Sequence, residues 1–137
     1  MKNIVETVHD LGTFKTLYKA VLETNLLDIL SGNGPFTIFA PTDEAFSKLP
    51  DGIFDDLLKD KEELTELLTF HIIPEKIMVE HVKRLSTATT ANGKHIVINN
   101  IDGVKINDAR VIKKDIKCTN GVIHIIDSVL IPKKTIL

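Results

Sequence analysis

Residues Phe36–Ala40 read Phe-Thr-Ile-Phe-Ala and are closed by Pro41-Thr42-Asp43. This short run constrains the chain most. It lacks the polar alternation of a half-exposed strand, so it has to be covered on both faces. Pro41 stops it, and Thr42 followed by Asp43 and Glu44 reads as a helix start, with the acids placed where the helix dipole favours anions. Pro41 and Phe46 stand at the positions of a hydrophobic staple. The candidate strand partners all lie in the second half of the sequence, so the fold must close through non-local pairing.

Upstream the pattern is helical. Thr13 is placed to cap a helix in which Phe14, Leu17, Tyr18, Val21 and Leu22 recur on one face. Asn25–Leu30 reads as a second short helix, ended by the breakers Ser31-Gly32-Asn33-Gly34-Pro35. Downstream, Asp60-Lys61-Glu62-Glu63 has the spacing of a capping box. The helix it opens places Leu64, Leu67, Leu68 and His71 on one face, and Pro74 stops it. Val79–Leu85 suggests a further helical turn or two.

From Ser86 onward the pattern turns to β. Thr87–Thr90 and Lys94–Ile98 flank Ala91-Asn92-Gly93, a hairpin signal. A turn over residues 99–103 precedes Val104–Ile106, and Asn107-Asp108 turns into Ala109–Lys113. Ile116–Cys118 then leads through Asn120-Gly121, read as a turn needing positive φ, into a long last strand, Val122–Ile131. Helices first and antiparallel hairpins afterwards argue α+β rather than a parallel βαβ sheet.

The size of the chain, 137 residues, fits a single domain spanning 1–137, with no repeat, linker or low-complexity segment dividing it. Hydrophobic residues make up 43% and aromatics 5%, with no Trp, so the core has to be aliphatic. The net charge of -2 gives no electrostatic reason to expect nucleic acid, and the basic residues are not interleaved with aromatics. The charge is unevenly spread: residues 1–70 hold 6 Lys/Arg against 13 Asp/Glu, and residues 71–137 hold 11 against 6. Lys113, Lys114 and Lys117 lie in the basic half and suggest a weakly basic surface.

Candidate chemistry is sparse. Cys118 is alone, which excludes an internal disulfide, and its apolar setting suits a core thiol. On a strand, His124 and Ser128 share one face and Asp127 takes the other, so no Ser/His/Asp arrangement is assembled locally. There is neither His-Glu-X-X-His nor paired Cys spacing, and no Gly-rich phosphate loop follows a strand. No cofactor, metal or catalytic residue is therefore expected. No apolar run reaches the ~20 residues of a membrane span. The N-terminal residues lack the apolar core of a signal peptide, so the expectation is either a cytoplasmic chain or, as favoured here, a mature domain trimmed of its leader.

Three ordered segments carry a family resemblance. Gly34–Pro50 contains Phe-Thr-Ile-Phe-Ala-Pro-Thr-Asp-Glu-Ala-Phe. Leu67–Pro74 reads Leu-Leu-Thr-Phe-His-Ile-Ile-Pro. Thr119–Pro132 contains Asn-Gly-Val-Ile-His-Ile-Ile-Asp-Ser-Val-Leu-Ile-Pro. Together they resemble the signature blocks of the fasciclin domain across essentially the whole chain. The resemblance implies a wedge of two antiparallel-rich β-sheets packed with N-terminal helices. It also implies an extracellular or cell-surface adhesion module that binds a protein, matrix or envelope component without catalysis. Asp43 and His71 occupy the positions that commonly share a buried polar network in the family.

In animal matrix members an Asp-Ile pair before the last block is implicated in integrin-dependent adhesion. Here it is Asp115-Ile116, followed by Lys117 where that motif carries an apolar residue. The middle segment is implicated as well, with Phe70 standing where Tyr is usual and His71 beside it. Asp115, Ile116, Phe70 and His71 are thus the expected partner contacts. An alternative is a module for a small hydrophobic ligand or lipid, held in an apolar cleft between helices and wedge.

Overall fold

A computed structural model describes residues 2–100 and 103–131. The N-terminal half is a set of short helices, each started and stopped by local chemistry. Helix α1 (Ile4–Leu11) begins at Asn3, whose side chain accepts from the Glu6 N–H while the Glu6 carboxylate accepts from the Asn3 N–H. It ends at Gly12 with φ 75°. Helices α2 (Lys15–Leu22) and α3 (Leu26–Leu30) follow. Thr13 does not cap α2: Phe14 holds the N-cap position and offers no side-chain bond. The Thr16 N–H instead donates at 2.7 Å to Asp43 Oδ1, on a different helix. Leu22, expected on the buried face, is 50% exposed, because Ala20 takes the inward position with Leu17 and Val21.

Strand β1 (Phe36–Pro41) runs into α4 (Asp43–Ser47), where Thr42 Oγ1 accepts from the Ala45 N–H as its sequence implies. Helix α5 (Ile53–Lys59) has no counterpart in the sequence reading. Helix α6 (Lys61–Thr69) is capped by Asp60, whose side chain accepts from the Glu63 N–H. It stops at Thr69, short of Pro74, because Ile72 and Ile73 form strand β2 and pair antiparallel with Ile38 and Thr37. Helix α7 (Val79–Val82) precedes the remaining strands: β3 (Thr87–Thr89), β4 (His95–Asn99), β5 (Lys105–Ile106), β6 (Ala109–Cys118) and β7 (Gly121–Ile126).

The seven strands form one ladder in the order β2-β1-β7-β6-β5-β4-β3. Every pairing is antiparallel except β1 with β7, which run parallel with Phe36 opposite Gly121 and Pro41 opposite Ile126. Both central strands are covered on both faces. Ile38, Ala40, Ile123 and Ile125 pack against the helices. Phe39 and Ile126 point the other way and share a second core with Ile96, Ile98 and Ile106 of β4 and β5. The β5-β4-β3 arm therefore folds over the outer face of the central strands, closing a wedge of two sheet layers. The ends of the ladder meet where the Ala91 N–H, just past β3, donates to the Ile72 carbonyl of β2 at 2.8 Å. The architecture is α+β, as the sequence implies.

Three further details differ from the sequence reading. Residues 109–118 form one strand, with register irregularities between Val111 and Lys113 and between Lys113 and Ile116. The last strand stops at Ile126 rather than Ile131, because Asp127 turns back: its carboxylate accepts from the Arg110 N–H at 2.8 Å and its own N–H donates to the Arg110 carbonyl at 3.1 Å. Gly121 does not have positive φ. It is required for space, since a Cβ there would sit 1.9 Å from the Phe36 carbonyl oxygen. Part of the expected 99–103 turn, residues 101 and 102, lies outside the described residues.

Candidate functional site

Asp115 sits at the irregularity in β6 with φ 56°, a left-handed conformation that Asp tolerates better than most residues. Its N–H donates to His124 Nδ1 at 3.1 Å, and its Oδ1 accepts from the Val79 N–H at 2.8 Å. The second bond supplies α7 with the cap that Met78 does not provide. His124, 1% exposed, uses its other nitrogen to donate to the Ile77 carbonyl at 2.8 Å. The ring is thus neutral with its proton on Nε2. Burial lowers its pKa, against the raising influence of the Ile77 bond and of Asp115, whose Oδ1 lies 3.8 Å from Nδ1. The Asp115 side chain keeps 29% exposure, and Ile116 leans half-buried on the helical core. The kink leaves Ile112, Lys113 and Lys114 facing solvent, with Ile112 at 55%.

Phe70 and His71 belong elsewhere. They are 4% and 2% exposed, so the expectation that they touch a partner directly is corrected: both are core residues. His71 lies just beyond α6. Its Nδ1 donates at 2.7 Å to the Leu67 carbonyl, taking the place of a helical N–H that the chain no longer provides. Its Nε2 accepts from the Leu130 N–H at 2.8 Å. Both nitrogens are satisfied only in the neutral ring, and burial holds its pKa down to about 4, opposed by the bond to Leu67.

Asp43 and His71 have separate partners. Asp43 bonds Thr16 through its carboxylate and the Thr13 carbonyl through its N–H. His71 bonds Leu67 and Leu130. Among the described residues no hydrogen bond joins the two sets. Asn120, read from the sequence only as a turn residue, is 6% exposed and holds distant segments together. Its Oδ1 accepts from the Ile4 N–H at 2.9 Å, and its Nδ2 donates to the Leu30 and Gly32 carbonyls at 2.6 and 2.8 Å. It ties the start of α1 and the end of α3 to the β6-β7 turn. No local pattern signals this, since its partners are some 90 residues or more away.

The reactive side chains are otherwise committed. The two ring nitrogens of His124 and the carboxylate of Asp127 have backbone partners, so neither is directed at Ser128. Cys118 is buried with Sγ 3.5 Å from Thr7 Oγ1, and burial pushes its thiol pKa up, away from a reactive thiolate. Among the described residues no group of three or more His, Cys, Asp or Glu could hold a metal ion. No helix there is long and apolar enough to cross a membrane. The apolar space enclosed beneath α1, α2 and α3 amounts to about 30 Å³, room for about one water molecule.

A fasciclin-domain family model matches residues 12–132. Protein sll1735 of Synechocystis, described as uncharacterized, is 42% identical over 131 residues, covering 96% of this chain and 98% of its own length. Human periostin is 36% identical over 134 residues, 96% of this chain but 16% of periostin. Among solved structures, the FAS1 domain pair from the insect cell adhesion molecule Fasciclin I superposes with a TM-score of 0.69 at 27% identity, covering 88% of this chain and 46% of that one.

Proposed function

The chain belongs to the fasciclin-domain family, and from that premise we propose that it is an adhesion or interaction module without catalytic activity. It is displayed outside the cell or on its surface and binds a protein, matrix or envelope component. The observation that carries this reading is the superposition of 88% of the chain on part of a domain pair from a cell adhesion molecule. The fold supports it by committing the titratable groups of the core to backbone hydrogen bonds. The contact we assign is Asp115-Ile116 with the solvent-facing Ile112 beside it, held in a fixed shape by His124 and Val79. The small-hydrophobic-ligand reading takes second place, because the space beneath α1, α2 and α3 is only about 30 Å³ and the roomier groove of about 430 Å³ beside α5 and α6 is edged by Asp56, Asp60, Glu63 and Glu66.

The test is cell attachment to surfaces coated with the domain, combined with fractionation and surface proteolysis of the native product in its source cells. Attachment should fall for a folded Asp115→Asn/Ile116→Ser variant. Equal attachment by that variant would remove the Asp115-Ile116 contact. A strictly cytoplasmic product would remove the adhesion reading altogether.

A further inference from the structure

Asp115 holds its surroundings at two points, and His124 determines whether it keeps both. The Asp115 N–H donates to His124 Nδ1 at 3.1 Å, and Asp115 Oδ1 accepts from the Val79 N–H at 2.8 Å. The first bond exists only while Nδ1 is a bare acceptor, since the proton of the neutral ring is spent on the Ile77 carbonyl. A second proton, on Nδ1, sets two donors against each other. The acceptor at hand is Asp115 Oδ1, 3.8 Å from Nδ1. Closing that gap to a charge-assisted bond of about 2.8 Å draws Oδ1 about 1 Å toward the ring, at the expense of its bond to Val79.

Helix α7 has little else to fix its first turn. It has four residues, and Met78 offers no side-chain cap. A helix that short is unstable by itself, so it depends on that one carboxylate and on Val79 and Val82 in the second core. The start of α7 and the kink in β6 are thus tied to each other through Asp115.

Among the described residues Asp115 is the one carboxylate paired with the His124 ring. Strand β1, which sets Phe39 beside the ring, has no charged residue, and β7 has no other titratable one. Around α7, Glu75, Lys76, Glu80 and His81 are solvent-exposed, and Lys83 pairs with Glu80. On β6, Lys113, Lys114 and Lys117 are exposed, and Arg110 lies at the Asp127 end. His95 of β4 is turned to Thr89, and Lys105 of β5 alternates with the buried Ile106.

We propose that Asp115 and His124 form an acid-operated latch on the Asp115-Ile116 contact. When Nδ1 takes up a proton, the Asp115 N–H is expelled and the carboxylate transfers from the Val79 N–H to the imidazolium. The kink and the first turn of α7 then loosen together, and the contact loses its fixed shape. Burial lowers the ring's pKa from the ordinary 6.5, so the latch is closed at neutral pH and opens on the acid side. The inference rests on the reading of Asp115-Ile116 as the contact, whereas NMR of the domain in solution follows the latch whether or not coated surfaces hold cells.

The experiment is an NMR titration from about pH 7.5 to about pH 5, following the ring nitrogens of His124 and the backbone amides of Asp115 and Val79. Both amides should shift with the midpoint of the ring, while His71, with its pKa near 4, stays neutral as an internal control. In Asp115→Asn, which keeps an acceptor for Val79 but no charge, the His124 midpoint should move to lower pH and the Val79 amide should stay in place. Attachment to the coated domain should fall reversibly, about 5-fold or more across the same range, and should not change with pH in His124→Gln. Should His124→Gln not fold, the Asp115→Asn titration decides. A His124 ring still neutral at the acid end, a Val79 amide that does not follow it, or the same midpoint in Asp115→Asn would overturn the latch. An equal fall in attachment for folded His124→Gln would overturn its hold on the contact. A coupled titration in a domain that holds no cells at neutral pH supports the latch and removes the contact.

Discussion

His71 Nε2 accepts the backbone N–H of Leu130 at 2.8 Å, a bond that spans 59 residues and exists only while the ring is neutral. Its pKa is held down to about 4 by burial, against 6.5 for an exposed ring. The unfolded chain therefore binds a proton that the folded chain refuses between these values. The contribution of the neutral ring is whole above pH 6.5 and is lost as the pH falls through 4, amounting to about 3 kcal/mol. His71→Gln should flatten the pH dependence of the urea midpoint across that window. Parallel curves for the two proteins would refute this assignment.

Asp43 starts α4 and also caps α2, through a 2.7 Å bond to the Thr16 N–H. Removing the carboxylate in Asp43→Ala should lower stability by about 1–2 kcal/mol, and Asp43→Asn, which keeps an acceptor, should recover most of it. Equilibrium denaturation distinguishes the two. If Ala and Asn are equally destabilised, the cap across 27 residues is not what the side chain contributes.

Gly121 and Gly93 separate two reasons for glycine. A Cβ at Gly121 would lie 1.9 Å from the Phe36 oxygen and 2.9 Å from Ile4 Cδ1, whereas at Gly93, with φ 83°, nothing lies within 4 Å. Gly121→Ala should cost about 3 kcal/mol or more, by forcing β1 from β7. Gly93→Ala should cost only about 1 kcal/mol, from the left-handed backbone. A reversed order in thermal unfolding would contradict the close approach of the two central strands.

Asp115 combines a left-handed backbone with a cap on α7. Asn keeps both the conformational tolerance and an acceptor, Gly keeps only the first, and Ala keeps neither. Stability should fall in the order Asp115→Asn, Asp115→Gly, Asp115→Ala, with the last losing about 1–2 kcal/mol. Amide exchange at residues 79–82 should quicken in the Gly and Ala variants. Unchanged exchange there would show that α7 stands without the Asp115 carboxylate.

What could be read ahead of the structure follows from the range of the interactions involved. Thr42 and Asp60 act within three residues, so their caps were visible in the sequence. The doubly buried character of β1 was visible in its lack of alternation, and the α+β order in the succession of patterns. The end of α6 was misplaced because β2 is only two residues long and exists through pairing with β1, which no local propensity encodes. His71 was readable as a residue of an apolar face, but its partner was not, since Leu130 reaches it from the far end of the fold; Phe70 was read as a contact and is buried. Asn120 looked like a turn residue because its three partners, Ile4, Leu30 and Gly32, are distant in sequence.

The parallel seam between β1 and β7 bears on how such a domain comes into being. The helices bury their apolar faces against Ile123 and Ile125, and the wedge closes on Ile126, so both cores await residues near the end of the described chain. A polypeptide emerging from the ribosome or a secretion channel cannot lay down the centre of its sheet until residues 121–126 are free to slot beside Phe36–Pro41. Until then the apolar strand has only the two residues of β2 to pair with, and closing so long a loop is intrinsically slow. The result is a window in which the nascent chain needs shielding from its neighbours.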